Sequence, residues 1–195
     1  MKIKIVNPDT FELLPENTDG LMIVKGATVM KGYLDDPEKT AEVMYKGQWY
    51  ITGDIARMNR NGFITITGRL SRFSKIAGEM VPHELVEREI NNLLRPEDRL
   101  FAVCGGSDTR KGERLLVFYT DPERMDPEYV VRELNKLPIP KLWIPKADSF
   151  VRLPSLPVLG SGKLDLAKLA EMAQNFCTTG DPLTPPDTPD DDAQG

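Results

Sequence analysis

The sequence predicts an α+β fold, and three observations lead there. Short runs that alternate or are wholly apolar, parted by turn-forming residues, fill the first third of the chain. After residue 70 the order becomes β-α-β-β-α-β-α, the pattern of helices packed on a short sheet. Hydrophobic residues make up 40% and charged residues 28% of 195, a balance that allows a soluble chain of this length a buried core.

The elements follow in order. KIKIV alternates, LMIVKG is a short apolar run closed by Gly26, and ENTDG between them is turn chemistry. In DDPEKTAEVM, Asp36 stands before Pro37 as an N-cap followed by proline at the first helical position, so a short helix is expected. ITGDIARMNR and FITITGR flank Asn61-Gly62, the dipeptide that best tolerates the positive φ angles of a type I′ turn, which predicts a hairpin. GRLSRFSKIAGEMVP is basic, rich in small residues and weakly periodic, and reads as a connector followed by a tight turn at Gly78. PHELVEREINNLL brings Leu85, Val86, Glu89/Ile90 and Leu93 near one helical face, with Glu84 and Glu87 close to the positive helix start. RLFAVCGG and ERLLVFYT read as strands, PEYVVRELNKL as a helix ended by Pro138 and Pro140, ADSFVRLPSLP as a last strand, and LDLAKLAEMAQNF as a terminal helix. The organisation is therefore a β-rich piece (1–68), a connector (69–72), a compact α+β domain (73–176) and a tail (177–195). The β-rich piece has too thin a core to look complete, as if cut from something larger. The tail, rich in Pro and Asp, is expected to be disordered.

The formal net charge of -5 belongs to that tail. Asp181, Asp187, Asp190, Asp191 and Asp192 follow Cys177 with no Lys or Arg among them, and leave the remainder neutral. Composition thus argues neither for nor against a polyanionic partner, and no basic stripe with interleaved aromatics points to nucleic acid. Cys104 and Cys177 are far apart and lack metal-ligand spacing, which fits a reducing compartment. No apolar run approaches the roughly 20 residues that span a bilayer, and no signal peptide opens the chain, so it reads as cytoplasmic.

His83 is the only histidine, so a Ser-His-Asp assembly or His-rich metal site has no second candidate, and no metal site is expected. Directly after Pro82, His83 reads as a surface residue at a helix start. Cys104, in an apolar strand, reads as a buried small hydrophobe. Three short segments remain. LPVLGSGKLD contains GSGK, but Pro157 and Leu164 occupy the positions where a Walker-type loop needs glycine and Ser/Thr, so no such loop is present. Lys163 there is either a point charge able to swing onto a phosphate or a plain loop lysine, with Asp165 capping the last helix. In WYITGD, Asp54 can accept two hydrogen bonds from a vicinal diol such as a ribose, or simply satisfy backbone N–H groups in the turn. Arg69, Arg72 and Lys75, with Gly78 allowing close backbone approach, could bind ribose or phosphate oxygens or form a solvated basic connector.

In this order and spacing the segments resemble the C-terminal part of the adenylate-forming acyl/aryl ligases. GLMIVKGATVMKGYLDDPEKTAEV is similar to the end of that superfamily's large N-terminal domain. WYITGDIARMNRNGFITITGR is similar to its ribose-binding Asp and following hairpin, GRLSRFSKIAGEMV to its interdomain hinge and loop, and LPVLGSGKLDL to its terminal catalytic-lysine motif. The likeness covers nearly everything from about Asp19 to Phe176. RFSKIAGEMVPHELVE and LPVLGSGKLD look closest to bacterial acyl-carrier-protein synthetases, in particular the synthetase portion of bifunctional 2-acylglycerophosphoethanolamine acyltransferase/acyl-acyl-carrier-protein synthetases. Many members carry an acidic residue two positions after the hinge arginine; here Ser71 and then Arg72 follow.

The resemblance implies a β-rich remnant of the large domain, a hinge at Leu70 and Ser71, and a C-terminal lid domain. It implies a two-step ligase, in which ATP and a fatty acid give an acyl-adenylate whose acyl group then passes to the phosphopantetheine thiol of acyl carrier protein or CoA. Asp54 would bind the ribose of ATP and AMP with support from Arg69. Lys163 would bridge carboxylate and α-phosphate oxygens during adenylation. Arg72, Lys75, Gly78, Glu79 and Met80 would face the pantetheine or carrier. The phosphate loop, the acyl pocket and most Mg²⁺ ligands belong to a large domain that nothing here matches, so this chain is expected to be a C-terminal fragment inactive by itself. Phospholipid reacylation is the implied pathway, with the parent enzyme tied to the inner membrane as one possibility. A second reading is a non-catalytic docking module for acidic acyl carrier protein, using Arg69, Arg72 and Lys75 but not Lys163.

Overall fold

The computed structural model describes residues 1–183, so the expected tail lies outside the described residues from 184 onward. Two compact units divide the chain between Ser71 and Arg72. In the first, β1 (Lys2–Val6) and β2 (Gly20–Lys25) pair antiparallel, with Ile5 opposite Met22. The helix α1 (Pro37–Val43) starts where the Asp36 carboxylate accepts the Lys39 N–H at 2.9 Å, with proline in its first turn as expected. The strands β3 (Met44–Tyr45), β4 (Trp49–Met58) and β5 (Ile64–Arg69) complete an antiparallel sheet in the order β1-β2-β4-β3, with β5 also on β4. Its buried apolar residues are Ile5, Val6, Leu21, Ile23, Ile55 and Ala56, a thin core, while Leu34, Phe63 and Ile66 face outward.

The β4–β5 hairpin forms, but not on a type I′ turn. Of Asn61 and Gly62 only the glycine has a positive φ, +80°. Asn59 N–H donates to the Phe63 carbonyl at 3.0 Å and Gly62 N–H to the Asn59 carbonyl at 2.9 Å, closing a loop over 60–62 with glycine in the left-handed position. Asn59 selects this geometry, since its Oδ1 accepts the N–H groups of both Asn61 and Phe63.

The second unit opens on a hairpin where the sequence reading has a connector. The strands β6 (Phe73–Ile76) and β7 (Glu79–Pro82) turn at Ala77 and Gly78, whose φ angles of +50° and +88° are the positive pair of a type I′ turn. Their alternation is masked because Ser74 is one of the buried positions. There follow α2 (His83–Leu94), β8 (Phe101–Asp108), β9 (Gly112–Tyr119), α3 (Pro127–Leu134), β10 (Phe150–Arg152) and α4 (Leu166–Thr179). The strand β9 is antiparallel to β8, parallel to β10, and meets β6 at Ile76 and Gly112. The runs FAVC and LLVF are apolar throughout because both faces of this sheet are covered. Phe101, Val103, Leu115 and Val117 pack with Val86, Ile90, Val130 and Leu134 of α2 and α3, whereas Ala102, Cys104, Leu116 and Phe118 pack with Leu169, Met172 and Ala173 of α4. Burial pushes the Cys104 thiol up to about 12, in keeping with its reading as a small hydrophobe.

Two expectations change here. The inward face of α2 carries His83, Val86, Glu87 and Ile90, so two polar residues are buried where an apolar stripe was expected. The helix α4 passes Phe176 by a further turn and ends where Gly180, at φ +80°, donates its N–H to the Phe176 carbonyl. Cys177 to Thr179 are thus helix rather than tail.

Candidate functional site

In the first unit, Asp54 and Arg69 are cross-strand partners on β4 and β5, with Arg69 Nε 2.9 Å from Asp54 Oδ1. A register shift between Ile55 and Ala56 makes this pairing. Ala56 faces Ile66 but Ile55 faces Gly68, so Thr67 is the extra residue that moves Arg69 opposite Asp54. The Thr67 hydroxyl donates to the Ile55 carbonyl at 3.3 Å and is 3.1 Å from Asp19 Oδ1. Thr52, unmarked by sequence reasoning, fixes the Asp54 backbone and the Arg69 side chain. Its hydroxyl accepts the Asp54 N–H at 3.0 Å and donates to the Met22 carbonyl at 2.8 Å, while its own carbonyl accepts Arg69 Nη1. Gly53, at φ +75°, is required between them by its left-handed backbone. The Asp54 side chain is 18% exposed and oriented by a cation rather than by turn N–H groups, so it can receive a diol from solvent.

In the second unit, Lys163 sits at the exit of a small hairpin. Leu159 N–H donates to the Lys163 carbonyl at 2.7 Å, Gly162 N–H to the Leu159 carbonyl at 2.8 Å, and Gly162 has φ +79°. This is the same three-residue loop as 60–62, with Lys163 where Phe63 stands. The bridge between Val158 and Leu164 flanks it, and the Asp165 carboxylate caps α4 by accepting the Lys168 N–H at 3.0 Å. Asp165 is the cap, as expected, and Lys163 is an exposed ammonium with no ion-pair partner among the described residues.

The remaining predicted residues fall on two sides of the surface. Gly78 and Glu79 are exposed at the β6–β7 turn, with Lys75 exposed and Met80 half-buried beside them. The Lys75 N–H donates to Glu113 Oε2 at 2.6 Å, and the Ala77 N–H to the Lys111 carbonyl, which ties this turn to the β8–β9 hairpin. Arg72, expected to face a carrier, instead points inward, 2.6 Å from Glu87, and is 6% exposed. His83, expected at the surface, is 2% exposed with Nε2 2.8 Å from Ser74 Oγ. Both corrections have one cause: Glu87 and Ser74 supply buried partners that only tertiary contact brings near. Leu70 and Ser71, with Arg72, form a single 3₁₀ turn at the boundary between the units. Among the described residues no group of three or more His, Cys, Asp or Glu could hold a metal ion, and no helix is long and apolar enough to cross a membrane.

No family model matches the chain. It is 33% identical over 174 residues to the mitochondrial medium-chain acyl-CoA ligase ACSF2 of Bos taurus, covering 88% of this chain and 27% of that enzyme. It is 31% identical over 169 residues to the medium-chain fatty-acid–CoA ligase of Escherichia coli K12, covering 84% and 29%. It is also 30% identical over 169 residues to bacitracin synthase 3 of Bacillus licheniformis, covering 84% of this chain and 3% of that protein. Among solved structures, ATP-bound MatB from Rhodopseudomonas palustris matches with TM-score 0.70 and 26% identity over 90% of this chain and 34% of that one. The amide bond synthetase McbA from Marinactinospora thermotolerans matches with TM-score 0.61 and 29% identity over 86% and 34%. The α+β fold matches the C-terminal domain of such adenylate-forming enzymes. The chain spans about a quarter to a third of the length of these acyl-CoA ligases and their structural neighbours.

Proposed function

We propose that this chain is the nucleotide-clasping and lysine-delivering part of an acid–thiol ligase that activates a fatty acid. The observation that carries the reading is Lys163, an ammonium without an ion-pair partner among the described residues and fixed at the exit of a tight loop. In the first step a carboxylate oxygen attacks the α-phosphorus of ATP, the bond to the β-phosphate oxygen breaks, and pyrophosphate leaves with the electron pair. Lys163 offsets the negative charge gathered on the carboxylate and α-phosphate oxygens, a positioning and electrostatic role. Asp54, held by Arg69 and Thr52, accepts the ribose hydroxyls. In the second step a phosphopantetheine thiol, as its thiolate, attacks the acyl carbon and AMP departs. For that step the second unit pivots at Leu70 and Ser71, withdrawing Lys163 and presenting Lys75, Gly78, Glu79 and Met80 to the pantetheine arm.

The names of the relatives favour CoA as acceptor. The likeness of RFSKIAGEMVPHELVE to carrier-protein synthetases favours acyl carrier protein, and phospholipid reacylation beside an acyltransferase follows on that branch alone. A docking module built on Arg69, Arg72 and Lys75 fits less well, because Arg72 is internal and Arg69 is engaged by Asp54. Two free cysteines agree with a reducing, cytoplasmic setting.

Adenylation needs a large domain supplying the phosphate loop, acyl pocket and Mg²⁺ ligands, in the same polypeptide or as a partner. The test is fatty-acid-dependent exchange of labelled pyrophosphate into ATP. Exchange is expected with that core present and absent for this chain alone; exchange by the isolated chain would refute the division of labour. CoA and acyl carrier protein supplied in turn then assign the acceptor.

A further inference from the structure

Arg72 is the first residue of the second unit, and its side chain is only 7% exposed. Burying a guanidinium is unfavourable unless its donors find acceptors, and here they do. Nη2 lies 2.6 Å from Glu87 Oε2, Nη1 donates to the Val103 carbonyl at 3.0 Å, and Nε stands 3.7 Å from Glu84 Oε1. Glu87 closes the ring, since its Oε1 accepts the Val103 N–H at 2.8 Å. One side chain thus ties the residue after Ser71 to α2 through Glu87 and to β8 through the Val103 carbonyl, while Glu87 itself holds the Val103 N–H. Alongside, Ser74 Oγ and His83 Nε2 join β6 to the start of α2. The two residues before Arg72 differ sharply, as Ser71 is exposed and Leu70 only half-buried.

We propose that Arg72 is a positioning residue that locks the beginning of the second unit onto its α2–β8 core. A pivot at Leu70 and Ser71 then turns the unit as one body. Without that lock, rotation at the pivot would be spent in bending β6, and neither Lys163 nor the Gly78 turn would arrive in a defined place. This rests on the ligase reading above, where alone the unit must move. Lysine cannot replace Arg72, because an ammonium lacks the planar fork that reaches Glu87 and the Val103 carbonyl together.

The test uses the ligase with its adenylation core present, and the variants Glu87→Gln and Arg72→Lys, each with a melting curve. The KM for ATP is expected to stay within about twofold, since Asp54 and Arg69 are untouched. The rate constants of both half-reactions should fall by ~10- to 100-fold, the penalty typical of ångström-scale misplacement. Folded variants that keep both rates, or lose only one, overturn the proposal. So does a failure of both variants to fold, which would make the lock part of the fold alone. The control is Lys163→Ala; if it retains adenylation, the ligase reading fails instead.

Discussion

The His83 imidazole is 2% exposed, and burial together with the nearby Arg72 charge drives its pKa down to about 3. In the unfolded chain it titrates near 6.5. A group kept neutral by folding contributes stability that is complete above pH 6.5 and is lost as the pH falls towards 3, because the unfolded state then binds the extra proton. The loss approaches about 1.4 kcal/mol per pH unit below that point. Urea unfolding between pH 6.5 and 5 reads this directly, since His83 is the only histidine. His83→Gln should flatten the pH dependence by close to one proton; an unchanged slope would show that His83 is protonated in the fold. This burial was hidden from the sequence. His83 sits directly after Pro82 at a helix start, which reads as surface, and the partner that meets it inside, Ser74, comes from β6 of the β6–β7 hairpin.

At the scale of elements, the loops 60–62 and 160–162 are built alike, and each depends on a glycine at φ near +80°. Gly162→Ala should cost ~1 to 2 kcal/mol from backbone strain alone, because a Cβ there would meet nothing within 4 Å. Gly160→Ala also meets open space but without a positive φ, and should be near neutral. Denaturant titration of the pair checks this, and equal stabilities would contradict the loop geometry. The legible elements were those whose signal is local. Asp36-Pro37 announced α1, Asp165 its cap on α4, and the apolar runs of β8 and β9 two strands of the sheet. What stayed hidden depends on contacts distant in sequence. The bulge at Thr67 decides that Arg69 faces Asp54, yet no single residue marks it, and Ser74 on a buried face disguised β6 as a connector.

At the scale of the whole molecule, the residues proposed to act in one reaction cycle belong to two separate units. Asp54 and Arg69 lie in the first, and Lys163 and the Gly78 turn in the second, with the boundary at Ser71 and Arg72. The order of these residues along the chain was readable from short motifs, because each occupies one tight turn or strand end. The chemical roles proposed for them rest on resemblance alone, since a carboxylate, a lysine and a glycine turn have many ordinary uses. The division predicts that the two half-reactions can be separated by a single side chain. The most direct measurement is therefore Lys163→Ala in the ligase with its adenylation core present, assayed in both directions of the chemistry. Pyrophosphate exchange should fall by ~10²-fold or more, while transfer to the thiol from supplied acyl-adenylate should proceed at the wild-type rate. Equal loss of both half-reactions, or retention of exchange, would contradict the role assigned to Lys163.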